Sequence, residues 1–209
     1  MKNVIQFSTF RPSKSLCLRM QKKVGFHGKL GYISAWPGEQ KYCYKHGHIP
    51  FHFAMMGFSD MAVYPIGFHY NRHDLDDFLK CDAIAIGGGN TFELLYMLQT
   101  WNLIPVLHNY ATEDGILMGE SAGGIVQCPS ARIALFADDN YLELDDLKSL
   151  NLVSYEVKPH WDFWKQKRHL FSKYVKETGV LLYGLSEGQA IWETSNGRRF
   201  YGGMPEVVV

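Results

Sequence analysis

Ser121 stands between two glycines at matched spacing, in Gly119-Glu120-Ser121-Ala122-Gly123. A serine that attacks a carbonyl must project from the backbone at a sharp strand-to-helix turn. Only small residues two before and two after it leave room for that strained geometry. The same turn aims the Ala122 amide and the helix N-terminus at the point where an oxyanion would develop. A serine in a tight turn is also a common helix cap, so the motif alone admits a purely structural reading. Its context is that of an elbow: the apolar run Ile116 to Met118 precedes it, and Ala122, Gly123 and Gly124 follow.

A second glycine cluster, Gly87-Gly88-Gly89-Asn90, separates the apolar run Ala83 to Ile86 from a helical stretch, Thr91 to Gln99. It does not fit the dinucleotide fingerprint, because Phe92 stands where a third glycine or alanine belongs. It lacks the Gly-Lys-Ser/Thr of a phosphate-binding loop as well. Glycines between a strand and a helix let backbone amides approach a ligand closely, as a second oxyanion donor must; an empty tight turn is the alternative. A nucleophilic serine further needs a base and a group to orient that base. His160 follows the apolar stretch Leu152 to Val157, and Glu187 follows Val180 to Leu185. In open parallel sheets the carboxyl ends of the strands share one edge, where ligands bind, so these four features are expected to meet there. The histidines His46, His48, His52, His69 and His73 lack the spacing of a metal site, and none is expected.

Apolar runs alternating with helical periods predict an α/β fold, a mostly parallel sheet flanked by helices on both faces. Strands are expected at Asn3 to Thr9, Lys29 to Ala35, Met61 to Ile66, Ala83 to Ile86, Ile116 to Met118, Leu152 to Val157 and Val180 to Leu185. Helices are expected at Ser13 to Lys23, Phe51 to Phe58, Asp74 to Lys80, Thr91 to Gln99 and Phe163 to Lys176. Ala190 to Thr194 and Arg199 to Tyr201, joined through Asn196-Gly197, read as a C-terminal β-hairpin with a type I′ turn.

The chain has 209 residues, 46% hydrophobic and 20% charged, with 21 basic against 21 acidic side chains. One domain over residues 1–209 is expected. A nucleic-acid binder would carry a basic excess, and no apolar run approaches the ~20 residues of a membrane span, so neither partner is expected. Absence of a signal-peptide pattern and four scattered cysteines (Cys17, Cys43, Cys81, Cys128) point to the cytoplasm and to free thiols, with Cys128 packed two turns down the elbow helix.

These residues resemble the dipeptidase E (aspartyl dipeptidase) and cyanophycinase family of serine peptidases. Further anchors are Cys128-Pro129-Ser130-Ala131-Arg132, Lys158-Pro159-His160-Trp161, Gly184-Leu185-Ser186-Glu187-Gly188, Ser195-Asn196-Gly197 and Gly202-Gly203. The resemblance implies a fold like that of class I glutamine amidotransferases, no cofactor, and a small peptide substrate. It implies Ser121 as nucleophile, His160 as base, Glu187 as orienting acid, and the amides of Gly88 and Ala122 as oxyanion hole. An aspartate upstream of the histidine, here Asp138, is a second candidate acid. Asn90, Arg132, Lys165 and Arg168 are the substrate-binding candidates. The chain departs from the family pattern by about two extra residues between Ser121 and Asp138. Lys165 stands where an arginine is expected, and a lysine loses the planar fork that holds a carboxylate by two hydrogen bonds. Peptides with N-terminal aspartate are therefore expected to be poorer substrates than the family name suggests. An amidase or esterase acting on a non-peptide, or a binding protein that keeps the fold, are the rival readings, and monomer and homodimer are both open.

Overall fold

The structure is a computed structural model and describes residues 2–34, 48–66 and 75–209. Cys43, His46, His69, His73, Asp74 and the Pro37-Gly38 turn lie outside the described residues. Seven strands form one sheet in the order β3-β2-β4-β5-β1-β8-β9. They are β1 (Asn3–Phe7), β2 (Gly28–Ser34), β3 (Phe58–Pro65), β4 (Ala83–Ile86), β5 (Ile116–Glu120), β8 (Ala190–Thr194) and β9 (Gly197–Tyr201). The first five are mutually parallel, and the β8–β9 hairpin closes one side antiparallel. A second sheet of three strands, β10-β7-β6, is built from β6 (Glu156–Pro159), β7 (Leu182–Leu185) and β10 (Glu206–Val208).

The alternation of side chains along a strand divides the interior in two. Val4, Ile84, Ile86 and Leu117 pack with helices α4 (Thr91–Thr100) and α5 (Leu103–Thr112) and with the second sheet. Ile5, Phe7, Ala83, Ala85 and Met118 turn the other way, onto α1 (Lys14–Val24) and α2 (His48–Met55). Helices thus cover both faces, as a sheet whose strands are apolar on both sides requires. The short helix α3 (Leu75–Phe78) closes the turn before β4.

The structure differs from the sequence reading at several points. The strand expected at Leu152 to Val157 begins only at Glu156, because the preceding backbone is tied elsewhere: Leu150, Asn151 and Leu152 donate to the carbonyls of Val126, Cys128 and Gln127 at 2.9–3.0 Å. The helix expected from Phe163 to Lys176 is broken into α7 (Trp161–Trp164), a 3₁₀ turn (Lys165–Lys167) and α8 (Arg168–Thr178). The elbow helix α6 is only Ala122–Ile125, so Cys128 lies beyond it. Cys128 is nonetheless buried, with its thiol pushed up to about 12 by desolvation, and Cys17, Cys81 and Cys128 are all free thiols. Finally, the hairpin turn is not type I′. Thr194 pairs with Gly197, leaving Ser195 and Asn196 to turn, and of these four only Gly197 takes a positive φ, 109°. A type I′ turn needs positive φ at both turn residues. Here the glycine serves the exit from the turn.

Two elements escaped the sequence reading. Helix α5 carries Pro105 in its first turn, where a missing N–H costs nothing. Strand β10 is three residues long and pairs antiparallel with β7. Among the described residues no helix is long and apolar enough to cross a membrane.

Candidate active site

Strand β5 ends at Glu120 and α6 begins at Ala122, so Ser121 has to turn the chain by itself. It does so at φ 50° and ψ −112°, a conformation L-residues rarely adopt and one that serves to lift a side chain out of the backbone path. Its N–H donates to Phe7 O at 3.1 Å, which sutures the elbow to the end of β1. The flanking glycines are obligatory for reasons of space. A Cβ on Gly119 would lie 2.2 Å from Gly123 O, and one on Gly123 would lie 2.2 Å from Ile86 O.

Ser121 Oγ lies 2.9 Å from His160 Nε2, and His160 Nδ1 lies 2.7 Å from Glu187 Oε1. An ionised carboxylate can only accept, so Nδ1 carries the hydrogen and Nε2 is free to take a proton from the serine. His160 sits at the turn out of β6 with φ 58° and ψ 38°, a left-handed conformation, and its N–H donates to Ser8 Oγ at 2.9 Å. Trp161, the next residue, packs its ring where a Cβ on Gly184 of β7 would stand, and its Nε1 donates to Glu206 of β10 at 2.8 Å. The short terminal strand thereby anchors the base.

The glycine run stands beside Ser121. A Cβ on Gly88 would stand 3.3 Å from Ser121 Cβ, so the backbone of this loop lies directly against the serine. Among the described residues neither the Gly88 nor the Ala122 amide is spent on a hydrogen bond. Two unspent N–H groups beside a projecting hydroxyl are what a tetrahedral intermediate needs.

Glu187 is held from several sides. Burial pushes its carboxyl up, but hydrogen bonds from Thr9, His160 and Ser8 outweigh this and hold it below the usual carboxylate range. Thr9 Oγ1 donates to Oε2 at 2.6 Å and Ser8 Oγ to Oε1 at 3.3 Å. The Glu187 N–H and the Ser186 hydroxyl donate to Asp162 at 3.0 and 2.9 Å, which fixes the backbone behind the carboxylate. The sequence reading does not single out Ser8, Thr9 or Asp162 as site residues and runs the first strand through Ser8 to Thr9, whereas β1 ends at Phe7. Ser8 and Thr9 nevertheless follow a strand, β1, at its carboxyl end, the same placement that singled out His160 and Glu187. Glu120, beside Ser121, is raised by burial while its carboxylate accepts the Phe10 N–H at 3.0 Å.

Thr9→Val should lower kcat about tenfold with the fold intact, since one hydrogen bond to a charged group, on the order of 1.5–3 kcal/mol when fully formed, is lost at a half-exposed carboxylate. Removing the donor raises the Glu187 pKa, and the carboxylate is the working form. The acid limb of kcat/KM should therefore move to higher pH. A kcat and acid limb equal to wild type would show that Thr9 does not hold Glu187.

Asp138 is placed differently. Its Oδ2 accepts both the Thr91 N–H and the Thr91 hydroxyl, at 2.9 and 2.5 Å, so it caps α4 and does not touch His160. Asn90 is likewise occupied, its Oδ1 capping Phe92 and Glu93 and its Nδ2 donating to Asp139 O at 2.9 Å. Arg168 pairs with Glu206 at 3.1 Å, Lys165 lies 4.0 Å from Asp162 and is mostly exposed, and Arg132 is exposed at the start of the 3₁₀ turn Arg132–Phe136. None of these four hydrogen-bonds to Ser121, His160 or Glu187. Among the described residues no group of three or more His, Cys, Asp or Glu side chains is placed to hold a metal ion.

This geometry can be compared with known proteins. The model of peptidase family S51 matches residues 57–199, a stretch that contains the glycine run, the elbow, His160 and Glu187. The chain belongs to peptidase family S51. Relatives include peptidase E of Shewanella sp. strain W3-18-1, 28% identical over 152 residues (68% of this chain, 63% of the relative). Peptidase E of Shewanella baltica strain OS185 is 28% identical over 159 residues (71% of this chain, 65% of the relative). The matched region thus spans less than two thirds of the length of these S51 relatives. A candidate peptidase E protein from Listeria monocytogenes EGD-e superposes with a TM-score of 0.76 at 21% identity, covering 96% of this chain and 98% of its own. A peptidase from an acI-B1 Actinobacterium gives 0.68 at 15% identity over 100% and 91% of the two chains. At these identities the superpositions establish the fold alone.

Proposed function

We propose that the chain is a serine exopeptidase that hydrolyses small peptides through an acyl-enzyme on Ser121. The observation that carries this reading is the unbroken hydrogen-bonded series Ser121–His160–Glu187 at a strained elbow. His160 Nε2 takes the serine proton as Oγ attacks the scissile carbonyl. The oxyanion then forms against the Gly88 and Ala122 amides, and His160 returns the proton to the leaving amine. Water, deprotonated by the same imidazole, hydrolyses the ester, and no cofactor enters. Membership of family S51 and the peptidase E names of the relatives support peptides as the substrate class.

The test uses a fluorophosphonate probe and a substrate panel. Intact-mass analysis should show one adduct, located on Ser121 and absent in Ser121→Ala. Among Asp-Leu, Asn-Leu, Ala-Leu and a small ester, at least one dipeptide should be turned over in a Ser121-dependent way, without a thousandfold preference for Asp-Leu. Turnover of the ester alone would replace peptidase by esterase, and a folded protein that forms no adduct would remove nucleophilic catalysis altogether.

A further inference from the structure

The segment Phe7 to Phe10, at the carboxyl end of β1, touches Ser121, His160 and Glu187 alike. The Phe7 carbonyl accepts the Ser121 N–H at 3.1 Å. Ser8 Oγ accepts the His160 N–H at 2.9 Å and donates to Glu187 Oε1 at 3.3 Å. Thr9 Oγ1 donates to Glu187 Oε2 at 2.6 Å. Whatever holds this short segment in place is therefore felt along the whole hydrogen-bonded series.

Two peptide planes frame Ser8 and Thr9. The plane between Phe7 and Ser8 is held on both sides, its carbonyl by the Ser121 N–H and its own N–H by the Gln189 carbonyl at 3.4 Å. The plane between Thr9 and Phe10 is held differently. Its carbonyl accepts the Arg11 N–H at 2.6 Å, a bond inside the segment that moves with it. Among the described residues only Glu120 Oε1, which accepts the Phe10 N–H at 3.0 Å, ties this plane to another element. The Phe10 ring packs 5.3 Å from that of Phe7 and 4.9 Å from that of Phe53, centre to centre. Packing places the residue, but it leaves the peptide plane free to rotate, and a directional hydrogen bond does not. Phe10 is 2% exposed, so its N–H has little water to turn to if Glu120 is removed. Glu120 and Ser121 are neighbours, so the end of β5 grips this segment at both ends.

We propose that Glu120 is a positioning residue for the reaction of Ser121: by accepting the Phe10 N–H it fixes the Thr9–Phe10 peptide and so seats the Thr9 and Ser8 hydroxyls on Glu187. The catalytic consequence rests on the serine-peptidase reading, whereas the seating of Glu187 does not. A carboxyl oxygen accepts this N–H with or without its proton, so the task needs an oxygen at that place and not a charge.

The experiment follows the His160 Nδ1 proton by NMR and measures kcat and KM on the full chain. Wild type is compared with Glu120→Met, Glu120→Gln, Thr9→Val and the double variant of Glu120→Met with Thr9→Val. The proton, held to Glu187 at 2.7 Å, resonates at low field and is assigned by its loss in His160→Asn. Methionine keeps the stem of the side chain and offers the Phe10 N–H no oxygen. In Glu120→Met, exchange of the His160 proton with water should quicken about tenfold, and kcat should fall about tenfold with KM little changed. Glu120→Gln should return both to within about threefold of wild type, because its amide oxygen accepts the same N–H. The double variant should be no worse than Thr9→Val alone, since both changes act on one hydrogen bond. Should Glu120→Met fail to fold, Glu120→Ala is read in its place. A Glu120→Gln as impaired as Glu120→Met overturns the proposal in favour of charge, and losses that add in the double variant overturn action through Thr9. Wild-type exchange in Glu120→Met overturns the seating, and quickened exchange with unchanged kcat overturns its catalytic consequence. If wild type shows no Ser121-dependent turnover, the peptidase reading falls, while the His160 proton still decides the seating.

Discussion

Glu187→Gln is expected to lower kcat by on the order of 10³–10⁴ while the protein stays folded, by analogy with triad carboxylates. A glutamine can accept the Nδ1 hydrogen at 2.7 Å only if its amide oxygen takes the place of Oε1. Its NH₂ then faces Thr9 Oγ1, a hydroxyl that can rotate and accept, so packing survives. What is lost is the negative charge that stabilises the imidazolium formed as Ser121 attacks, and with it the preference for the productive tautomer. Asp138→Asn should cost far less, because Asp138 acts on Thr91 and not on the imidazole. Steady-state kinetics of both variants, with circular dichroism for folding, decide the matter. A large loss in Asp138→Asn beside a near-wild-type Glu187→Gln would reverse the assignment of the acid.

The second large effect is expected from one methyl group. In Gly123→Ala the new Cβ meets Ile86 O at 2.2 Å and Gly87 O at 3.0 Å, both backbone atoms that no rotamer change can move. Either the end of β4 retreats, carrying the Gly87–Gly89 loop with it, or α6 lifts off the sheet. Both movements separate the Gly88 amide from the Ala122 amide. Stability should fall by about 2–4 kcal/mol, and fluorophosphonate labelling of Ser121 should slow at least a hundredfold. Gly124→Ala is the internal control. Its Cβ would stand 3.4 Å from Gly119 O and 3.5 Å from Phe7 O, close to ordinary contact. It should stay within about 1 kcal/mol of wild type, since alanine is the better helix former. Equal behaviour of the two variants would show that the elbow tolerates side chains and that its glycines are not spatial requirements.

Local chemistry determined a good part of this protein. The sequence itself contains the short apolar run, Gly-x-Ser-x-Gly and the opening of a helix, and these are local because the strain at Ser121 is a matter of five consecutive residues. Ala83 to Ile86 is equally legible, since a short apolar run is a local signal, whereas Asn90, read as a substrate-binding candidate, caps α4. Tertiary structure decided the rest. His160 and Glu187 were expected at one edge of a single sheet with Ser121, yet β6 and β7 form a separate sheet. They meet the serine because Leu150 to Leu152 are bound to the backbone after the elbow. That same long-range pairing erased the first half of the strand expected at Leu152. Which carboxylate would hold the imidazole depended on whether Asp138 found Thr91 first, a contact across 47 residues. Ser8 and Thr9 became partners of Glu187 across 178 residues or more. No spacing rule reaches so far, because such contacts are fixed by the packing of whole elements and leave no periodic trace in the chain.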